Sequence, residues 1–181
     1  MSDQDLDALI RQLRALYERL RAGMRERWQR DLPLEELLFD RWERARSLGF
    51  GAGTSIYHNS YVYGDVKVGE HTWIGPFTLL DGSGGLSIGD YCSISAGVQI
   101  YTHDTVEWAL SAGRNGPARA STRVGSRCYI GPNTIVAKGV KIGDGSVIGA
   151  NSLVLDDVPA GSKAYGSPCR VAGPAPAVPA T

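Results

Sequence analysis

Charge of one sign is not in excess here: the 181 residues carry 19 Lys and Arg against 19 Asp and Glu. A balanced chain has no general electrostatic pull toward nucleic acid or an anionic membrane. Long apolar runs are missing as well. None approaches the roughly 20 residues that a membrane-spanning helix needs, and the acidic, amphipathic start reads as a helix rather than a secretion signal. Cysteine is scarce, at three residues, and two of them fall where the repeat described below buries them. That is too few for a disulfide framework and reads as reduced thiols in a cytoplasmic protein. Histidine is equally scarce. His58, His71 and His103 are the whole supply, so any imidazole chemistry has only three places to come from.

What the chain does have is a period of six. From Val124 the aliphatic residues Val124, Ile130, Val136, Ile142, Ile148 and Val154 recur at every sixth position. Glycine follows four of them, as Gly125, Gly131, Gly143 and Gly149, and the residue four places on is mostly small: Cys128, Thr134, Val140, Ser146, Ser152. This period fits neither a helix nor a plain strand. It is the hexapeptide repeat of a parallel β-helix, in which each hexapeptide forms one side of a prism and three close a coil. The anchor points inward and stacks on the coil above, and a bulky residue at the small position would crowd the corner. The same phase runs backwards through Ile56, Val62, Val68, Ile74 and Leu80, slips by two at Gly84-Gly85, and resumes at Ile88, Ile94 and Ile100. The fold expected is mainly β.

Residues 1–48 read as two helices. Ser2 or Asp3 can cap the first, and Asp5 and Asp7 suit its positive end. Leu6, Ile10, Leu13, Tyr17, Leu20 and Met24 draw one apolar stripe, with Arg19, Arg21, Arg25, Arg27 and Arg30 crowding the later turns. The stripe suits packing on the same protein or on a partner subunit; a basic amphipathic helix also suits a membrane surface or an acidic partner. Asp31 is placed to cap a second helix with Pro33 in its first turn, its buried face made by Leu34, Leu37, Leu38 and Trp42. The expected role of the segment is to cover the open end of the prism. At the other end, residues 173–181 form a Pro/Ala-rich tail that reads as disordered.

Between Ile100 and Val124 the repeat vanishes, and a solenoid that drops its repeat extrudes a loop, here over residues 104–123. His103 stands where the coil ends and the loop begins, beside Asp104; His58 and His71 sit at ordinary repeat positions. A general base that must stay reachable belongs at His103. Asp104 orients that imidazole only if the chain turns sharply, because neighbouring side chains of a strand point apart. Gly82-Ser83-Gly84-Gly85 reads as a two-residue bulge: either a tolerated insertion or a widened corner that leaves Asp81 reachable. Trp108, in the loop, either stacks on a sugar face or docks the loop.

Across about residues 50–172 the chain resembles the hexapeptide-repeat acyltransferases of left-handed β-helix fold, in the branch of galactoside, maltose and surface-polysaccharide O-acetyltransferases. The motifs that carry this are Ser87-Ile-Gly-Asp90, Ile100-Tyr-Thr-His103-Asp, Val124-Gly-Ser-Arg-Cys-Tyr-Ile-Gly-Pro132, Ile148-Gly-Ala-Asn-Ser-Leu-Val154 and Ala164-Tyr-Gly-Ser-Pro-Cys-Arg-Val171. Left-handedness follows from the resemblance, against the usual crossover preference. So does a homotrimer with active sites between subunits, transferring acetyl directly from acetyl-CoA to a hydroxyl of a sugar or nucleotide-sugar acceptor. The resemblance makes His103 the catalytic base and Asp81 a residue of the acceptor pocket, with Trp108 and Asp104 from the loop. It places Tyr129 on the CoA arm, Pro132 and Ala150 along the pantetheine, and Arg170 by the adenosine phosphates. A lysine frequent in the family is Asp156 here, and Lys163 or Lys138 is placed to substitute.

Three other readings share this fold. One is N-acetylation of a nucleotide-linked amino sugar. A second is a zinc hydratase of the γ-carbonic-anhydrase kind, which needs three histidines; no second histidine lies near His103 in the later coils, and no metal ligand set is assigned. The third is a catalytically inactive scaffold.

Overall fold

The computed structural model describes residues 2–177, in two compact units that divide at Arg41 and Trp42. The first holds helix α1 (Asp3–Trp28) and the short α2 (Leu34–Leu38). Ser2 caps α1 in a reciprocal box: its hydroxyl accepts from the Asp5 N–H at 3.2 Å and the Asp5 carboxylate accepts from the Ser2 N–H at 2.9 Å. Asp31 does not cap α2. It is drawn into ion pairs with Arg21, at 2.7 Å, and Arg25, and α2 starts behind Pro33 with no side-chain cap. The helical segment breaks again at Phe39, so the helices number three, with α3 at Arg41–Ser47. The apolar face expected across Leu34–Trp42 is therefore split, and Leu38 and Trp42 remain exposed.

The second unit is a parallel β-solenoid of about six turns, consistent with the expected left-handed β-helix. Its first face stacks Ile56, Ile74, Ile94, Ile130, Ile148 and Ala164 in register. The second stacks Val62, Leu80, Ile100, Val136 and Val154, and the third Val68, Ile88, Val124, Ile142 and Val158. These rungs form one continuous core. At its start α3 closes the first coil, burying Ala45 and Phe50, while the Arg44 guanidinium donates to the carbonyls of Tyr57 and of Ser60, the latter at 2.8 Å. At its finish Arg170–Pro174 folds back antiparallel on Ser162–Tyr165, and the Ala175 N–H donates to the Gly161 carbonyl at 2.7 Å. The tail read as disordered from 173 is thus ordered through its first three residues; residues 178–181 lie outside the described chain.

The small positions do more than avoid a clash. Two residues before an anchor, a short donor turns inward and reaches the carbonyl stacked at the same corner of the next coil. Thr54 donates to Gly69 (2.7 Å), Ser60 to Gly75 (3.0 Å), Thr72 to Gly89 (2.9 Å), Cys92 to Gly125 (3.0 Å), Cys128 to Gly143 (3.2 Å) and Ser146 to Pro159 (3.0 Å). Buried corner carbonyls need partners, and a hydroxyl or thiol one bond from Cβ supplies them without filling the prism. Glycine after the anchor is a matter of spacing: a Cβ on Gly131 would lie 2.5 Å from the Ala150 nitrogen of the next coil.

Thr72 both donates to the Gly89 carbonyl and accepts from the Cys92 N–H at 3.0 Å, fully buried. Thr72→Val keeps the shape and strands both partners, so chemical denaturation should show a loss of about 2–4 kcal/mol, while Thr72→Ser should lose less than half of that.

Candidate active site

Two insertions fall at one corner of the prism, between the second and third faces, in consecutive coils. In the second coil the strand Leu79–Ile88 runs through the corner without a break and carries two extra residues. In the third coil the chain leaves after Ile100 and rejoins at Thr122–Val124, which pairs with Leu86–Ile88. The loop is thus shorter at its far end than the expected 104–123, since Thr122 and Arg123 already belong to the prism. Its root is a two-stranded ribbon, His103–Asp104 against Ala118–Arg119, and its tip holds helix α4 (Val106–Leu110). Gly84 lets the layers meet: a Cβ there would lie 2.5 Å from the Thr102 carbonyl oxygen, and the Gly84 N–H donates to the Thr102 hydroxyl at 2.8 Å.

Asp81 sits under that root, 1% exposed. Its carboxylate accepts from the Ser83 N–H at 3.0 Å and from the Thr102 N–H at 2.8 Å. Its Oδ2 also lies 2.6 Å from Nδ1 of His103, whose side chain is about one-third exposed. Burial pushes the Asp81 carboxyl up, but hydrogen bonds from Ser83, Thr102 and His103 together outweigh it and hold the group well below the usual carboxylate range. An ionised carboxylate only accepts, so Nδ1 donates to it, and in the neutral ring the lone pair falls on Nε2. The pair is a buried anion beneath an oriented, part-exposed imidazole.

This changes the part expected of Asp81. The corner does not leave it reachable for an acceptor; its carboxylate is buried beneath the histidine. Asp104 is not the orienting carboxylate. It pairs with Lys138 at 2.8 Å, and that bond, followed by the Val106 N–H, lowers its pKa. Lys138, offered as a phosphate contact, instead ties the loop to the later coils. Trp108 is half-exposed on the loop, and Leu110 is 84% exposed. His71 stacks on Tyr91, with ring centroids 4.9 Å apart.

The residues expected at CoA occupy another part of the prism. Tyr129 and Lys163 stand in one outward column of the first face, separated by Val147. Pro132 and Ala150 follow at the corner leading to the second face, where the Asn151 N–H donates to the Pro132 carbonyl at 2.8 Å. Arg170 lies beyond the last coil and meets Asp156 at 3.3 Å, so the acidic replacement faces the arginine. Both groups are exposed, and such a pair is worth little. The sequence reading gives Thr102 and the Ser83 N–H no part, and gives Lys138 a different one. Only Thr102 left a trace, as a short donor one residue before the histidine.

Among the described residues no group of three His, Cys, Asp or Glu side chains is placed to hold a metal ion, and no helix is long and apolar enough to cross a membrane.

Residues 121–156 match the bacterial transferase hexapeptide family, over six repeats. A putative acetyltransferase of Staphylococcus aureus is 50% identical over 48 residues, 26% of this chain and 24% of its own; the chain thus spans about a quarter of that relative. The putative colanic acid biosynthesis acetyltransferase WcaF of Escherichia coli is 29% identical over 131 residues, 66% of this chain and 68% of its own. The crystal structure of AntD, an N-acyltransferase from Bacillus cereus in complex with dTDP and 3-hydroxybutyryl-CoA, superposes with a TM-score of 0.63 at 19% identity, covering 76% of this chain and 92% of that one. At that identity the likeness is one of fold.

Because the folded pKa of Asp81 is depressed, its contribution to stability is complete above the ordinary carboxylate range and declines as pH falls toward the folded value. Asp81→Asn should lower the thermal midpoint at neutral pH, by about 2–4 kcal/mol in unfolding free energy. It should also flatten the acid limb of the stability curve relative to the parent.

Proposed function

We propose, on the premise that this is a hexapeptide-repeat protein built like the acyltransferases of that kind, that it transfers an acetyl group from acetyl-CoA to a hydroxyl of a sugar or surface-polysaccharide precursor. The observation that carries this reading is the 2.6 Å contact between buried Asp81 and the part-exposed imidazole of His103, at the one corner where two coils break their repeat.

In this reading Nε2 of His103 takes the proton of the acceptor hydroxyl as the oxygen attacks the thioester carbonyl. The carbon–sulfur bond then breaks, and the imidazolium returns the proton to the departing thiolate, giving an acetyl ester and free CoA. Asp81 is a positioning residue: it holds Nδ1–H and stabilises the transient imidazolium.

The site is assembled between copies of the chain. Tyr129, Pro132, Ala150 and Lys163 lie on the first face and its following corner, with Arg170 at the end of the same side. His103 lies one corner further on, and one side of the prism spans roughly 15–20 Å. A donor lying along Pro132 and Ala150 therefore meets the imidazole of a neighbouring copy, which supports a homotrimer with three such clefts. The exposed loop tip, with Trp108 and Leu110, suits the acceptor side of that cleft. The three cysteines are free and accord with a cytoplasmic location, where CoA thioesters are at hand.

Transfer to an amine is the second reading, favoured by the fold shared with the N-acyltransferase AntD. A thiol-release assay with acetyl-CoA against free sugars, nucleotide sugars, amino sugars and oligosaccharides separates the two. Release with hydroxyl-only acceptors supports the first; release confined to amines replaces it.

His103→Ala should reduce kcat by at least about a hundredfold while acetyl-CoA binding, read by calorimetry, stays near the parent value. Turnover that survives this change removes His103 as the base. Arg170→Ala should raise the KM for acetyl-CoA by roughly tenfold with kcat little changed, since it removes a phosphate contact made equally in ground and transition states.

A further inference from the structure

No residue of α1 is buried, although Leu6, Leu9, Ile10 and Leu13 are apolar and 38–47% exposed. The pattern of that surface is stricter than a general amphipathic stripe. Leu6, Ile10, Leu13, Tyr17, Leu20 and Met24 alternate steps of four and three, the seam of a coiled coil. Continued outward, the seam meets Asp3 at one end and Arg27 at the other. Among the described residues neither forms an ion pair within the protomer. The first turns are acidic (Asp3, Asp5, Asp7) and the last basic (Arg25, Arg27).

We infer that α1 pairs antiparallel with α1 of a second copy of this chain. Antiparallel register sets Leu6 against Met24, Ile10 against Leu20 and Leu13 against Tyr17, each twice by symmetry, and closes both ends with Asp3 against Arg27. A parallel pair sets Asp3 on Asp3 and Arg27 on Arg27, so the charges select the antiparallel one. Gly23 agrees. Glycine is unfavourable inside a helix, and a Cβ on Gly23 would meet nothing within 4 Å in the protomer. It stands in a cavity of about 580 Å³ lined by Leu20, Gly23, Met24 and Trp28 of α1 and Leu37 of α2. In the antiparallel register Leu6 and Leu9 of the second copy arrive at that cavity, with Leu9 over Gly23.

The pairing does not depend on the transferase reading. With the threefold assembly proposed above, a two-fold contact cannot join members of one ring, so α1 joins two rings into a dimer of trimers.

Sedimentation equilibrium on the full chain tests this. Leu13→Glu should halve the particle mass while circular dichroism shows the prism intact; an unchanged mass overturns the proposal. Asp3→Arg and Arg27→Asp should each weaken the association about tenfold, since either one turns two attractive contacts into repulsive ones. The double variant should return to within about twofold of the parent, because it restores opposite charges only in the antiparallel register. A double variant no tighter than the singles overturns that register.

Discussion

Coils that stack at about 4.8 Å, the spacing of hydrogen-bonded strands, leave almost no room at their corners, and the molecule is arranged around that shortage. The corner carbonyls turn away from the ladder and must still be satisfied out of contact with water. At most corners threonine, serine or cysteine at one fixed offset from the anchors does so, reaching the carbonyl stacked at the same corner of the next coil. The aliphatic rungs supply the apolar burial, but they are interchangeable in kind: isoleucine, valine and leucine all serve. The offset position is held to a narrower range of size, threonine, serine, cysteine or valine, and of these only the first three can donate.

The same constraint explains where chemistry is available. A regular prism exposes only alternate side chains of short strands and buries the rest, which leaves no place for a partly buried, oriented base. Two adjacent coils abandon regularity at a single corner, and the departure produces such a place. Asp81 is buried there, glycine at position 84 admits the Thr102 backbone, and the departing loop lays His103 over the carboxylate. The aspartate stays ionised because three donors converge on it, at the cost of burying a charge. That arrangement is stable only while all three are present.

A prism also separates its functions by geometry. The column of Tyr129 and Lys163 and the corner of Pro132 and Ala150 belong to one side, the imidazole to the next corner. In the proposed reading, residues that a single coil holds apart would meet across two chains. The helical unit carries a seam of its own, along a helix in which no residue is buried.

The period of six, read from Val124 to Val154, was enough to establish the prism, its three-sided coil and the place where it breaks, because inward anchors in a solenoid recur at intervals set by local geometry alone. It also marked His103, since a lost repeat is visible without coordinates. The partner of that histidine was not visible. Asp104, its neighbour in sequence, points to Lys138, whereas Asp81, a full coil earlier, lies 2.6 Å from the ring. Stacking converts separations of about a coil into contacts, so a carboxylate in the coil before lies nearer than the neighbour in sequence. The number of helices before the prism likewise depended on a break at Phe39 that the sequence did not mark. The sequence by itself determined the repeating frame and its interruption; the tertiary structure decided which carboxylate lies under the imidazole, because that contact depends on the register between coils rather than on distance along the chain.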